Sequence, residues 1–307
     1  MWFANYLSTA LALTSLVAPS LAAELTKVPS FGPNPRNVTM YIYVPNKLAA
    51  KPPVLVVPHW CHGTAQDAFR GRPYSSLADT YGFIVIFPDS PNKADQCWDV
   101  SSPQSLTHDG GGDALGIASM VRWTLEKHNG DKDRVFVTGT SSGAMMTNVL
   151  LGSYPDLFAA GSAFAGVPFG CYAANGYGVW SDDCAKGKIV KTGKEWADMV
   201  YAAYPEYKGY RPKLQVWHGT ADQVLEFTNF KEEIKQWTTV LGLNSTASVA
   251  TADTPLKGWT RYRYGGGVFE AYEAKGVSHD IPNQADPVME FFDLRCTTGK
   301  CFSRPKN

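Results

Sequence analysis

The sequence predicts an α/β fold in which helices flank a mostly parallel central sheet within a single domain. Three observations predict it. Short apolar stretches recur along the 307 residues, helical patterns separate them, and no linker rich in Pro, Gly or Ser divides the chain. Alternating strands and helices are typical of parallel sheets, and unbroken apolar runs are typical of strands buried on both faces.

Six short segments, apolar or β-prone, are predicted to be strands: 38–44 (VTMYIYV), 54–58 (VLVVP), 83–87 (FIVIF), 135–138 (VFVT), 214–217 (LQVW) and 269–272 (FEAY). Apolar residues at helical spacing predict helices over 113–126, 144–151 and 230–241. The region from Gly170 to Tyr210 has weak periodicity. We expect it to be a long insertion over one end of the sheet, where loops shape substrate sites.

Residues 1–22 are predicted to be a secretory signal peptide, which leaves 23–307 as the mature chain. The segment from Leu7 to Ala18 is apolar or small and carries no charge, and small residues follow it. A buried first helix is the alternative. We therefore expect a secreted, extracellular protein, and the sequons at Asn37 and Asn244 predict N-glycosylation.

Six cysteines in a chain bound for an oxidising compartment predict disulfides. Six cysteines allow about 15 pairings. Closeness in sequence favours these pairs: Cys171 with Cys184, Cys296 with Cys301 and, by remainder, Cys61 with Cys97.

The charge balance argues against several classes of partner. Lys+Arg and Asp+Glu both number 28, and no run of like charge would bind nucleic acid or an anionic membrane. After the amino-terminal segment no apolar run is long enough to span a bilayer. We expect a soluble monomer, and the nine Trp residues suit a protein that stacks rings against sugars.

The strongest local motif is G-x-S-x-G, formed by Gly139, Ser141 and Gly143 between a predicted strand and a predicted helix. A nucleophile at such a turn needs a strained backbone, and a β-carbon on either glycine would collide with the strand or the helix. The motif in this context predicts that Ser141 is a nucleophile in an α/β-hydrolase fold.

Serine needs a general base, and the chain order of this fold is Ser, then acid, then His. After Ser141 only His218 and His279 remain. His218 ends the predicted strand 214–217, whereas His279 follows the last predicted strand on a loop. We therefore predict that His279 is the base.

The acid is predicted to be Asp222, on the loop after strand 214–217, where its carboxylate would hold the useful tautomer of His279. Asp280 and Asp253 are its rivals. Asp280 adjoins the histidine itself, and Asp253 lies in a stretch without strand character.

Two backbone N–H groups are predicted to stabilise the oxyanion, that of Ser142 and that of Cys61 in the loop after strand 54–58. A disulfide from Cys61 to Cys97 would hold this loop. His59 and His62 in the same loop raise the alternative of a metal, but no carboxylate or thiol is spaced for zinc. We expect neither a metal nor a cofactor.

Seven blocks in this order resemble carbohydrate esterase family one, particularly the fungal acetyl xylan esterases, and more distantly feruloyl esterases and polyhydroxybutyrate depolymerases. The blocks are 59–66 (HWCHGTAQ), 97–99 (CWD), 105–113 (SLTHDGGGD), 138–148 (TGTSSGAMMTN), 167–171 (VPFGC), 218–222 (HGTAD) and 276–279 (GVSH). They span nearly the whole mature chain. No carboxy-terminal linker or carbohydrate-binding module follows them, so we expect a catalytic domain alone.

The resemblance implies a secreted serine esterase that removes acetyl groups from xylan through an acyl-enzyme. Ser141, Asp222 and His279 occupy the family's triad positions, and Cys61 its oxyanion position. Trp60 and His62 stand where several relatives have Tyr and Gly, which bears on the shape of the acyl pocket. The rivals are a feruloyl esterase with a wider pocket, a polyester depolymerase, and an inactive carbohydrate-binding protein, which would lack a triad member.

Three tryptophans, Trp60, Trp98 and Trp180, are predicted to stack on the polysaccharide or to narrow the acyl pocket, with a place in the core as the alternative. The run Gly110 to Asp113 is predicted to be a tight turn in which Asp113 caps the next helix, with a substrate-facing run as the alternative.

Overall fold

The structure is a computed structural model that describes residue 1 and residues 23–305. The predicted signal peptide therefore lies, except for Met1, outside the described residues. Within the described part of the chain, ten strands form one sheet and eight α-helices accompany it. Among the same residues no helix is long and apolar enough to cross a membrane.

The sheet is parallel at its centre and antiparallel at both edges. Its strands are β1 (Leu25–Val28), β2 (Thr39–Tyr43), β3 (Val54–Val56), β4 (Ile84–Asp89), β5 (Val135–Thr140), β6 (Ala160–Phe164), β7 (Lys213–Gly219), β8 (Val249–Ala252), β9 (Trp259–Tyr264) and β10 (Phe269–Ala274). They lie in the order β1-β2-β4-β3-β5-β6-β7-β10-β9-β8, and the six from β4 to β10 run parallel. The predicted fold class is confirmed.

Helices cover both faces. They are α1 (Ala65–Gly71), α2 (Tyr74–Tyr81), α3 (Asp113–Lys127), α4 (Ser142–Ser153), α5 (Asp182–Ala185), α6 (Gly193–Ala203), α7 (Thr228–Val240) and α8 (Ala285–Phe291), with a short 3₁₀ turn over Gly265–Gly267. Helices α3, α4, α6 and α7 contribute to the core on one face, and α1, α2 and α8 to the core on the other. Both cores are dominated by fully buried apolar side chains.

All six predicted strands and all three predicted helices are present, with ends shifted by a few residues. The pattern missed β6, whose sequence AGSAF consists largely of small residues although every position is buried. A Cβ on Gly161 in this strand would lie 2.7 Å from Leu151 of α4, so the lack of a side chain at this position permits close packing of the helix on the strand. It also missed β9, whose sequence WTRYRY is only partly buried.

The prediction of an irregular insertion from Gly170 to Tyr210 is wrong for its second half. Thr192 and Glu195 form a reciprocal capping box that starts α6, and Trp196 and Val200 of this helix are fully buried. The predicted cap at Asp113 is also wrong. The N-cap of α3 is Gly112, and Asp113 is a buried residue of the first turn whose carboxylate bonds to other segments.

The structure contains the three disulfides favoured by closeness in sequence, namely Cys61–Cys97, Cys171–Cys184 and Cys296–Cys301. The first joins the loop after β3 to the loop after β4. The second closes a loop of the insertion. Both therefore constrain the end of the sheet at which the parallel strands terminate.

Glu233 of α7 predicts a pH dependence of stability. Its Oε1 accepts a hydrogen bond from Asn148 Nδ2 at 2.6 Å, while Oε2 has no partner among the described residues. Burial raises the pKa of Glu233 to about 7, so the folded state keeps a proton that the unfolded state releases. The free energy of unfolding therefore falls as the pH rises from about 4.5 to about 7.

We expect Glu233→Gln to make this dependence less steep, because a glutamine keeps the oxygen that Asn148 contacts and does not ionise. Burial also raises the pKa of Asp113 to about 7, so part of the slope remains. Thermal unfolding between about pH 5 and pH 7.5 measures it. Glu206→Gln, at an exposed position, is the control and should leave the slope unchanged. An unaltered slope in Glu233→Gln would contradict the assignment.

Candidate active site

Ser141 occupies a sharp turn between β5 and α4. Its φ of 56° and ψ of −122° lie outside the regions that residues with a side chain ordinarily adopt. A Cβ on Gly139 would lie 2.3 Å from the Gly143 carbonyl oxygen, and one on Gly143 would lie 2.2 Å from the Pro58 carbonyl oxygen. The structure thus shows both the strained turn and the collisions expected from the motif.

The structure brings Ser141, His279 and Asp222 into one hydrogen-bonded line. His279 Nε2 lies 2.8 Å from Ser141 Oγ, and His279 Nδ1 lies 2.8 Å from Asp222 Oδ2. The loops after β7 and β10 approach closely, since a Cβ on Gly219 would lie 2.2 Å from the Val277 carbonyl oxygen. The three residues are far apart in sequence, and the parallel strands that carry them end at the same edge of the sheet.

Asp222 is almost fully buried and ionised. Burial alone would raise its pKa, but hydrogen bonds from His218 and His279 hold that pKa well below the usual range. Its Oδ1 also accepts the backbone N–H groups of Val224 and Leu225, both at 2.9 Å. Because an ionised carboxylate only accepts hydrogen bonds, Nδ1 of His279 carries the proton and Nε2 is free to accept one from Ser141.

His218 packs behind this line. Its Nε2 lies 2.8 Å from the Leu225 carbonyl oxygen and 3.2 Å from Asp222 Oδ2, and its ring is fully buried. Since both partners are acceptors, Nε2 carries the proton. His218 and His279 therefore both contact Oδ2 of Asp222.

The rival carboxylates lie elsewhere. Asp280 is exposed at the rim of the cavity, beside the histidine in sequence, and Asp253 accepts the Gly258 N–H at 2.7 Å in the turn between β8 and β9. Of the three candidates, Asp222 is the one hydrogen-bonded to the imidazole of His279.

The loop after β3 places Cys61 beside the nucleophile turn. His59 at its start is fully buried, with Nδ1–H donating to the Trp60 carbonyl oxygen at 2.7 Å and Nε2 accepting the Ser90 N–H at 3.1 Å. Burial lowers the pKa of His59, which favours the neutral ring. Both ring nitrogens are engaged, so His59 holds the loop in place and offers no nitrogen to a metal.

The backbone N–H groups of Cys61 and Ser142 donate to no protein acceptor within residues 23–305. Ser142 is the first residue of α4, where an N–H has no intrahelical partner. Cys61 lines the same cavity as Ser141, and Ser142 follows Ser141 directly.

Trp98 is not a surface on which a sugar can stack, which corrects the prediction for this residue. It is 2% exposed. Its backbone N–H donates to Ser142 Oγ at 2.8 Å and its indole N–H donates to the His59 carbonyl oxygen at 2.8 Å. Trp98 lies behind the site and ties the loop after β3 to the nucleophile turn.

Trp60 and Trp180, in contrast, line the cavity that contains Ser141. It has a volume of about 790 Å³ and a mainly apolar lining. Its walls are formed by Trp60, Cys61, His62, Gly71, Arg72, Asp95, Cys97, Thr140, Ser141, Trp180, Val224, His279, Asp280, Ile281 and Pro282. The volume is in the range of small-molecule sites, about 300–1,000 Å³.

Arg72 is a cavity residue that the sequence did not reveal. Its guanidinium lies 5.1 Å from the ring centroid of Trp60 and donates to Thr140 Oγ1 at 3.0 Å. It follows α1 directly, in no motif, and only the packing of α1 against β4 brings it to the site. No local pattern could have identified it.

Comparison with known proteins gives one family. The family described as Esterase PHB depolymerase matches residues 38–246. Acetylxylan esterase A of Aspergillus oryzae is 48% identical over 274 residues, which cover 88% of this chain and 89% of that protein. Feruloyl esterase B of Talaromyces stipitatus is 46% identical over 288 residues, which cover 92% of this chain and 80% of that protein.

Two solved structures are similar in fold to this chain. An acetyl xylan esterase from Aspergillus awamori has a TM-score of 0.86 at 43% identity and covers 88% of this chain and 99% of its own. FphF of Staphylococcus aureus, a fluorophosphonate-binding serine hydrolase, has a TM-score of 0.54 at 14% identity, with coverage of 91% and 100%. The latter likeness concerns the fold alone.

Substitution of Asp222 and of Asp280 tests which carboxylate orients His279. We expect Asp222→Asn to lower kcat for ester hydrolysis by about 10⁴-fold, because an amide at this position favours the wrong tautomer of His279. Asp280→Asn is the matched control and should stay within about tenfold of wild type, since its exposed carboxylate does not orient the imidazole. Steady-state kinetics measures both. A reversed order of the two losses would show that the acid is misassigned.

Proposed function

The chain belongs to the Esterase PHB depolymerase family, and we propose that it is a secreted serine esterase that removes acetyl groups from xylan. The observation that carries the proposal is the hydrogen-bonded line from Ser141 through His279 to Asp222. Such a line activates a serine for acyl transfer. The inactive carbohydrate-binding alternative predicted a missing triad member, and all three are present.

In the proposed mechanism, His279 Nε2 takes the proton of Ser141 Oγ while Oγ bonds to the ester carbonyl carbon. The carbonyl electron pair moves onto its oxygen. When the tetrahedral intermediate collapses, the sugar oxygen leaves with the proton from His279, and the acetyl group stays on Ser141. Water then attacks this acyl-enzyme, giving its proton to His279, and acetate leaves as Ser141 regains its hydrogen.

The N–H groups of Cys61 and Ser142 are proposed to bind the oxyanion. Both lack a protein acceptor among the residues that the structure describes, and Ser142 begins α4, whose amino terminus favours negative charge. Fixed donors of this kind stabilise charge in the transition state without rearrangement.

The substrate class rests on the relatives. Acetylxylan esterase A of Aspergillus oryzae is 48% identical to this chain, and that of Emericella nidulans is 47% identical. Trp60 and Trp180 are proposed to form the aromatic walls of the site, because both line the cavity with Ser141. Trp180 is half exposed, which suits a ring that meets a sugar or an acyl group.

Feruloyl esterase is the second candidate. Feruloyl esterase B of Talaromyces stipitatus is nearly as similar as the acetylxylan esterases, and a cavity of about 790 Å³ has room for a phenolic acyl group. The two activities differ in the width of the acyl pocket, so substrate assays separate them.

Secretion, cleavage after residue 22, N-glycosylation and a monomeric state are part of the proposal. Three disulfides support an oxidising compartment. Asn37 and Asn244 are both exposed, as glycan acceptors must be. The mass and amino-terminal sequence of the protein recovered from culture medium test these points together.

The function is tested by acetate release from acetylated xylan and ferulate release from methyl ferulate, each with wild type and Ser141→Ala. We expect acetate release that Ser141→Ala lowers by at least about 10⁴-fold, with ferulate release near background. Efficient ferulate release would favour the second candidate. Activity that survives in Ser141→Ala would refute the mechanism.

A further inference from the structure

A buried carboxylate, that of Asp99, lies behind the cavity and joins two distant segments. Its Oδ1 accepts the backbone N–H groups of Ser101 at 3.2 Å, Ser102 at 3.0 Å and Gly178 at 3.1 Å. Its Oδ2 accepts the hydroxyls of Ser102 and Ser105. Three of these partner residues, Ser101, Ser102 and Ser105, are neighbours of Asp99 in sequence, but Gly178 belongs to the insertion after β6.

The hydroxyl of Ser101 makes a second connection to the same segment. It donates to the Gly176 carbonyl oxygen at 2.9 Å and accepts the Val179 N–H at 2.9 Å. A third connection runs from the Tyr177 hydroxyl to Asp113 Oδ2 at 3.3 Å. Four consecutive residues, 176–179, are thus hydrogen-bonded to three fully buried residues, Asp99, Ser101 and Asp113.

Trp180 follows these residues directly. We call the disulfide-closed segment of residues 171–184, which includes it, the Trp180 loop. The ring of Trp180 is half exposed, meets Tyr172 edge-on at 5.3 Å and donates to Asp182 Oδ1 at 2.9 Å. Both ring partners belong to the loop itself. The bonds of residues 176–179 to Asp99, Ser101 and Asp113 connect the stretch next to Trp180 to the body of the protein, and the ends of the loop are held by Ala174 N–H on the Ser101 carbonyl oxygen at 2.9 Å and by Asn229 Nδ2 on the Cys184 carbonyl oxygen at 3.0 Å.

We propose that Asp99 and Ser101 are positioning residues that fix Trp180 at the wall of the cavity and thereby set the size of the ester that the site accepts. The proposal rests on the proposed esterase function. Neither residue lines the cavity, so both act through the Trp180 loop. When the hydrogen bonds from Asp99 and Ser101 to residues 176–179 are lost, Trp180 moves more freely at the cavity wall. The kcat/KM for larger esters then rises relative to that for acetate esters.

The chain offers a matched pair of variants. Ser101→Ala and Ser102→Ala each remove one buried hydroxyl beside Asp99. The Ser102 hydroxyl donates to Asp99 Oδ2, whereas the Ser101 oxygen lies 3.2 Å from Oδ1 and gives its proton to the Gly176 carbonyl oxygen. Only the Ser101 hydroxyl also bonds to the Trp180 loop, whereas the Ser102 hydroxyl otherwise accepts the Ser105 N–H. A merely structural role predicts the same effect for both.

Two readouts are needed. Hydrogen–deuterium exchange in the peptide spanning the Trp180 loop measures how firmly the loop is held, independently of activity. The ratio of kcat/KM for p-nitrophenyl butyrate to that for the acetate ester reports selectivity, and Trp180→Ala shows the direction of change when the wall is removed. Thermal unfolding checks that each variant is folded.

We expect faster exchange in the loop and a shift of the ratio by about threefold to tenfold in Ser101→Ala, in the direction of Trp180→Ala, with Ser102→Ala near wild type. The inference is overturned if exchange is unchanged, if both serine variants behave alike, or if Trp180→Ala leaves the ratio unaltered. An inactive wild type would refute the proposed function instead, and exchange would still decide whether Ser101 anchors the loop.

Discussion

The backbone at Ser141 is the constraint on which the site depends. A positive φ at a residue with a side chain costs on the order of 1–3 kcal/mol and persists only where the surroundings enforce it. Here the Ser141 N–H donates to the Phe164 carbonyl oxygen at 2.8 Å, and the Ser141 carbonyl accepts from the first turn of α4. The glycines at 139 and 143 let the strand, the helix and the loop after β3 approach closely enough to hold this turn.

The segment Cys97–Trp98–Asp99 connects the three parts of the site. Cys97 is bonded to Cys61 in the loop proposed to bind the oxyanion, and Trp98 donates to Ser142 Oγ at the nucleophile turn. Asp99 accepts the Gly178 N–H in the loop that carries Trp180. Three consecutive residues thus connect the elements that surround Ser141, and two of them, Trp98 and Asp99, are buried behind the cavity.

The sequence was informative where local chemistry is restrictive. The turn at Ser141 requires glycine on both sides, and the α/β-hydrolase chain order of Ser, acid and His selects Asp222 and His279, so both were predictable. Packing alone decides the remainder. A buried Trp98 and a cavity-lining Trp60 are not distinguished by their neighbours in sequence, β6 is a strand of small residues, and Arg72 reaches the site only through the placement of α1.

Covalent capture of the serine tests the central claim most directly. Wild-type protein is treated with an aryl phosphonate ester that phosphonylates activated serines, and the adduct is located by peptide mass spectrometry. The account predicts one adduct on Ser141, with loss of esterase activity in proportion to labelling, and none on Ser141 when His279 is replaced by alanine. An adduct on another residue that abolishes activity, or full activity with Ser141 labelled, would contradict it.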